Sequence, residues 1–550
     1  MTEDAGAWLV TDRLFETADR DPDRTLIIDP RFGRYTYCDV AGQVERLAWA
    51  LRERGFASGD IVVLQLPNWA PFIVFHLALT ALGAVTTNIP VVFREREVGG
   101  ILALTGAKGL VVPDDFRGFD FPAMARGLAD DCPDLTDVFV VEGVSKSGNN
   151  FTARENDQVM ETTYAELIRE PEMSPGTRDD LLILKPSVED MTALGFTSGT
   201  TGGLKGAIHD SRILAAINSG FIERYGLNKN DRIFGGSPFG HAVGFTHVVR
   251  MTLSIGASVV LLEYWEPRRA LELIHGERCT FIAGATPFLM DLVYHPDLSK
   301  FENLSTLRLF LCGGASVPEQ LMHDAMKNLP NTFVSPLWGM TECGGVTTCP
   351  PDALDAKLFE TDGLPCDGME LKVVDVDGTA APLLTEGELM VRGPMVARGY
   401  YRQPELTKEY FLADGFFRTG DQARMDADGY IKITGRIKDL IIRGGVNISP
   451  VDIESVLFAH PRVSNAAVVG MPDARLGERI CAFIIPVAGA SLDIAEVQDW
   501  MAKSGLAKQK WPERIETVDA FPMTPSGKVQ KFNLRKFLAQ ETNDDEVNDL

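Results

Sequence analysis

The strongest constraint on this chain is an alternation of two apolar patterns. From Asp39 onward, Val40, Val44, Leu47 and Leu51 recur at helical spacing, and the unbroken apolar run Ile61-Val62-Val63-Leu64 follows. Spacing of three to four residues gathers side chains on one helix face, whereas a short unbroken apolar run reads as a strand buried on both faces. The unit repeats with a helix over 72–82, then a helix over 97–104 before the strand Leu110-Val111-Val112. It resumes after a polar, loop-like stretch at 145–158, with strands predicted at 233–234, 258–261, 281–283 and 307–311 and helices at 267–274 and 318–327. Strands buried on both faces need helices on both sides, so the pattern predicts an α/β fold of doubly wound, mostly parallel sheets.

Beyond Asp362 the runs become short and alternating, broken by the turn sequences Asp375-Val376-Asp377-Gly378 and Asp426-Ala427-Asp428-Gly429. A small antiparallel β unit fits this texture. After Gly435 the chain is mixed α and β, with Ser449 placed to cap a helix and Pro450 at its first position, and it ends in an acidic, disorder-prone tail at 541–550. With 550 residues more than one domain is expected. The predicted division is a large N-terminal domain at 1–436 and a small, mobile α+β domain at 437–550.

A formal charge of -24 offers no basic footprint for nucleic acid, and it would repel anionic membranes. It would also repel nucleotides and carboxylates at long range, so a site for either must supply its own positive potential. The start, Met1-Thr2-Glu3-Asp4, lacks the basic-then-apolar order of an export signal. The longest apolar stretch, 70–93, is interrupted by His76, Thr80, Thr86, Thr87, Asn88 and Pro90, which fits a buried helix running into a strand better than a membrane span. A cytoplasmic protein without stable membrane insertion is expected. The eight cysteines form no C-x-x-C pair and are read as reduced, mostly buried thiols. His241 and His247 stand six apart, which matches no common metal-ligand spacing.

The densest chemical signal is Phe196-Thr197-Ser198-Gly199-Thr200-Thr201-Gly202-Gly203-Leu204-Lys205-Gly206. Small residues let the backbone approach phosphates, while hydroxyls and a lysine add donors and charge. This is not a Walker A loop, because Leu204 and Gly206 flank Lys205. Its lead-in, Thr192-Ala193-Leu194-Gly195-Phe196, is strand-like, which a flexible linker would not need. The run resembles the signature of the acyl-adenylate-forming enzymes, a family of acyl-CoA synthetases, luciferase and peptide-synthetase adenylation domains. Further motifs follow in family order: Gly313-Gly314-Ala315, Leu337-Trp338-Gly339-Met340-Thr341-Glu342, Thr419-Gly420-Asp421, Gly435-Arg436-Ile437-Lys438-Asp439, Gly444-Gly445-Val446-Asn447 and Pro525-Ser526-Gly527-Lys528. The departure is Leu204, where the family usually has proline.

The resemblance implies roles, which adenylation chemistry makes intelligible: a carboxylate attacks the α-phosphorus, pyrophosphate leaves, and positioned cations and donors hold the developing charge. Thr197, Ser198, Gly199, Thr200, Thr201, Gly202 and Lys205 would cradle the phosphates. Lys528 would bridge the attacking carboxylate and the α-phosphate, Thr341 would bond that phosphate, and Glu342 would hold Mg2+. Asp421 and Arg436 would take the ribose, and Gly313, Gly314, Ala315 and Trp338 the adenosine. Lys438 is the implied pivot of the small domain, and Gly444 and Gly445 the lining of a channel for coenzyme A.

For the substrate, peptide-synthetase domains place Asp after the Phe of the corresponding motif, but Phe239 is followed by Gly240-His241, which disfavours an amino acid. Segments 238–247, 283–292 and 338–345 correspond to the family's acyl pocket and are rich in apolar residues, with wording most like medium-chain acyl-CoA synthetases and cyclohexanecarboxylate-CoA ligases. His241 is then a pocket wall or gate, or else a buried structural histidine. The implied reaction converts an apolar medium-chain or alicyclic acid, ATP and coenzyme A to a thioester, AMP and pyrophosphate. Two alternatives stay open: loading of a carrier-protein pantetheine, and a non-catalytic nucleotide-binding module. A homodimer is compatible with all of them.

Overall fold

The computed structural model describes residues 8–143, 159–169, 176–198, 203–473, 475–523 and 529–538. Helix Tyr37–Glu53 buries the expected face of Val40, Val44, Leu47 and Leu51, and its start is held by a reciprocal Thr36–Asp39 capping box. Helix Ala70–Ala81 is buried at every residue, so it shows no amphipathic stripe, and it leads into the buried strand Val85–Asn88. Segments 145–158 and 541–550 lie outside the described residues.

Among the described residues the strands form two large sheets and two smaller ones, with a short hairpin besides. The first large sheet runs Leu204–Asp210, Met191–Ser198, Val85–Asn88, Ile61–Leu64, Gly109–Pro113, Asp137–Val141, Met160–Thr163, and only its first pair is antiparallel. The second has a parallel centre ordered Phe333–Met340, Leu309–Gly313, Phe281–Ala285, Arg232–Gly235, Ser258–Leu261, Thr25–Asp29, with antiparallel strands added at both ends. One continuous apolar core joins both sheets and also takes in Leu389, Val391 and Phe417 of the antiparallel four-stranded sheet Glu370–Val374, Gly387–Arg392, Phe417–Met425, Ile431–Arg436. That shared core brings three sheets together at one place.

From Arg436 the chain passes through the short 3-10 turn Ile437–Asp439 into a sheet built on Val463–Asp473 and Gly477–Pro486. This last sheet has cores of its own, Ile441 to Met501 and Ala467 to Leu538. Ser449 caps helix Pro450–Phe458 as expected, and its hydroxyl also donates to the Thr434 carbonyl across the junction. Seven cysteines are buried and Cys38 is exposed. Among the described residues no helix is long and apolar enough to cross a membrane.

Candidate functional site

The site is assembled by turns and strand ends from three sheets. Thr341 and Glu342 stand in the tight connection between Phe333–Met340 and Gly344–Thr348. Across from them Gly195, in strand Met191–Ser198, has no side chain because a Cβ there would come within 2.5 Å of the Thr341 methyl. His209 from the neighbouring strand is fully buried, and desolvation holds its ring down to about 4 against hydrogen bonds to the Thr341 and Ala207 backbone.

Glu342 is only 4% exposed. One carboxylate oxygen, Oε1, accepts from the Tyr400 hydroxyl at 3.0 Å, while Oε2 has no hydrogen-bond partner among the described residues. Tyr400 reaches it because 397–401 runs along the edge of strand Leu204–Asp210, with Ile208 N donating to Gly399 O at 3.0 Å and Tyr401 N to Gly206 O at 2.8 Å. Burial and the adjacent carboxylate push the Tyr400 hydroxyl far above the ordinary phenol range, so it stays a donor. A buried carboxylate with one bare oxygen suits a hard cation. Among the described residues no three or more His, Cys, Asp or Glu side chains are grouped so that they could hold a metal ion, so phosphate oxygens and water would have to supply most ligands of a metal here, as magnesium ordinarily accepts.

Asp421, in strand Phe417–Met425, is the second buried carboxylate at 4% exposure. Its Oδ2 accepts from the Trp338 indole at 2.8 Å, and its Oδ1 lies 3.0 Å from Arg436 Nε without hydrogen-bond geometry. Arg436 is Asp421's register partner on the next strand, which is why the two meet. Each of the two carboxylates therefore has one oxygen held by a hydrogen bond and one that accepts none, the second being ion-paired in Asp421.

The other expected residues that are described occupy strand ends and turns. Gly313 ends strand Leu309–Gly313, where a Cβ would lie 2.3 Å from the Leu337 carbonyl oxygen, and Gly314 takes a φ of +87°. Ala315 follows directly. Thr197 and Ser198 end their strand, while Gly199, Thr200, Thr201, Gly202 and Lys528 lie outside the described residues. Lys438 is exposed within Ile437–Asp439, and Gly444 and Gly445, both at positive φ, form the two-residue turn between Ile441–Arg443 and Val446–Ile448.

Two of the expected positions have notable neighbours in this structure. Lys205 is expected among the phosphate donors, but its ammonium lies 4.1 Å from the Tyr410 ring centroid and 5.2 Å from that of Tyr400, where it supports the ring that holds Glu342. Segment 283–292 is expected in the acyl pocket, yet Phe288 stacks on Trp265 with centroids 3.9 Å apart in a separate core, because helix Thr286–Val293 turns its apolar face that way.

The other two pocket segments do meet. Asn88, Gly195, His209, Leu214, Ile217, His241, Phe245 and Thr246 are among the residues enclosing a cavity that Thr341 also borders. Gly240 and Gly244 make this packing possible, since a Cβ at either would lie 2.2 Å from the Ile89 or Pro238 carbonyl oxygen. Residues 244–250 form a π-helical segment, a form that recurs at functional sites. The cavity holds about 30 Å³, room for a water or two, against roughly 300–1,000 Å³ for a ligand pocket. Any acid would therefore have to displace wall side chains. Tyr400, His209, His76 and Arg250 were not singled out from the sequence, although Arg250 is the one charged residue in the run Val248 to Leu253.

Two doubly wound sheets with buried carboxylates at the turns and strand ends where three sheets meet fit an adenylate-forming architecture. Family models agree: residues 14–401 match the AMP-binding enzyme family and residues 452–528 the AMP-binding enzyme C-terminal domain. The chain belongs to that enzyme family. It is 34% identical over 533 residues to the medium-chain fatty-acid–CoA ligase of Escherichia coli strain K12, covering 96% of this chain and 90% of that one. Among solved structures it is similar to ATP-bound MatB from Rhodopseudomonas palustris, with 28% identity, a TM-score of 0.83 and coverage of 96% and 98%. The anthranilate-CoA ligase AuaEII in complex with anthranoyl-AMP matches at 25% identity, a TM-score of 0.86 and 98% of both chains.

Proposed function

We propose that this enzyme is an AMP-forming acyl-CoA synthetase that activates a mainly apolar, medium-chain or alicyclic carboxylic acid with ATP and transfers the acyl group to coenzyme A. The observation that carries it is the pair of buried carboxylates, Glu342, with one oxygen that no described group hydrogen-bonds, and Asp421, whose Oδ1 is ion-paired with Arg436 but accepts no hydrogen bond, together with a cavity that Thr341 borders. In this reading Oδ1 of Asp421, which accepts no hydrogen bond here, accepts from the ribose, with Trp338 and Arg436 fixing the carboxylate's orientation. Glu342 would hold magnesium, which supplies charge neutralisation on the phosphates when bound. Thr341 and the 197–202 loop donate to phosphate oxygens, and Lys528 stabilises charge on the α-phosphoryl group as the carboxylate attacks.

The acid's apolar body lies against Phe245, Leu214 and Ile217, and His241 at the cavity wall swings to admit it. A small domain following Arg436 then turns about Lys438, exchanging Lys528 for the Gly444–Gly445 turn so that the thiol can enter. The similarity to the Escherichia coli ligase supports the choice of acid and of acceptor. The test is an acid panel with ATP and CoA, following AMP and pyrophosphate release, with a pantetheine-bearing carrier protein as competing acceptor. Release of ADP and phosphate, or transfer to the carrier alone, would refute it.

A further inference from the structure

Arg250 ends the π-helical segment Gly244–Arg250, one turn beyond Phe245 and Thr246, the residues of that segment that line the cavity. Its side chain is buried, with the residue 1% exposed. Nη1 lies 3.2 Å from His76 Nε2, and Nη2 is buried with no hydrogen-bond partner among the described residues. The groups around it are polar but not acidic. His76 Nδ1 lies 3.2 Å from Thr86 Oγ1, which in turn donates to the Thr192 carbonyl, and the His76 ring packs edge-on against Phe245. Burial first and the Arg250 charge second hold the His76 ring neutral, so Nε2 accepts from Arg250 while Nδ1–H donates onward. This relay orients the guanidinium without neutralising it.

Burial alone draws Arg250 down to about 9, with no carboxylate acting to raise it, and its charge is felt at His209 on the cavity wall. Asn88 on the same wall and Asn218, which donates to the Thr246 carbonyl, each have a buried amide oxygen without a partner among the described residues. A structural arginine in a core is normally compensated by a carboxylate, because a lone buried charge strongly destabilises the fold. Here the nearest opening is the small cavity bordered by Phe245, against which the His76 ring packs, and an acid entering it would have to widen it toward Arg250.

We propose that Arg250 anchors the far end of the acid, so that the preferred substrate has an apolar middle and a distal oxygen acceptor, either a second carboxylate or a ketone-type carbonyl. This rests on the adenylation reading of the same site and narrows it. The wild-type enzyme is assayed by ATP–pyrophosphate exchange, which needs no thiol, with length-matched series of plain, ω-carboxylic and oxo acids. At one chain length the acceptor-bearing acid should be favoured in kcat/KM by about 10²-fold or more, since a site built to bond an oxygen discriminates against its absence. Whichever of the two acceptor series wins identifies the acceptor, and Arg250→Met should reduce that preference ratio at least tenfold. Wild-type enzyme that uses plain acids as well or better overturns the inference and leaves adenylation intact, and this holds even if Arg250→Met fails to fold. An unchanged ratio in a folded variant overturns it too. Absence of exchange with every acid removes the adenylation reading and this inference together.

Discussion

Replacing Tyr400 by Phe deletes one hydroxyl and little else. The ring would keep its edge-on contact with Phe411, at 5.3 Å between centroids, and its place beside the Lys205 ammonium. What is lost is the 3.0 Å hydrogen bond to Glu342 Oε1, and because Oε2 already has no partner, the carboxylate would be buried with no hydrogen bond from the described residues. A hydrogen bond to a charged group is worth ~1.5–3 kcal/mol, so the carboxylate should lose orientation at a cost of roughly 10- to 150-fold. We expect Tyr400→Phe to lower kcat/KM in ATP–pyrophosphate exchange by that factor, to raise the magnesium concentration needed for half activity, and to weaken the thermal protection given by magnesium and ATP. Since the hydroxyl stays protonated well beyond neutral pH, the ratio of variant to wild type should be flat from about pH 6 to 9. A variant with a lower melting temperature but an unchanged magnesium midpoint and exchange rate would show that Tyr400 only packs, and the positioning argument would fail.

Lys528→Ala should slow pyrophosphate exchange by ~10²–10³-fold, the effect of losing one contact to developing charge, while preformed acyl-adenylate still reacts with CoA; full exchange would refute the role. Lys438→Pro fixes φ near about -65° and should preserve most adenylation but abolish most thioester formation, and an equal fall in both half-reactions would remove the pivot from Lys438. His76, His209 and His247 are all buried and held neutral, the last two at about 4, so the unfolded chain binds more protons below pH 6.5. Stability should therefore fall as pH drops from 6.5 to 5, by up to ~1.4 kcal/mol per proton per pH unit; flat urea-unfolding free energies over that range would contradict it.

The alternation that opens the sequence survives in the structure because it reports local physics. Val40, Val44, Leu47 and Leu51 face one way on any helix, and Ile61 to Leu64 can be satisfied only inside a sheet. The same holds for the Ser449 cap and for the Gly444–Gly445 turn, where two positive φ angles favour glycine in any fold. Motif order likewise placed Thr341, Glu342, Asp421 and Arg436 near one another before any coordinates, though only through likeness to a family.

What the sequence could not specify is which unlike segments would touch. Glu342 meets Tyr400 across 58 residues, Trp338 meets Asp421 across 83, and His76 meets Arg250 across 174. No spacing rule links such pairs. Lys205 adds another such contact: its ammonium lies over the rings of Tyr410 and Tyr400, which a distant segment brings in. Helices, strands and turns were legible because backbone sterics and hydrophobic periodicity act over a few residues. The partner of each buried charge was decided by tertiary structure, because desolvation leaves a buried polar group no choice but whatever donor the packing of three sheets delivers.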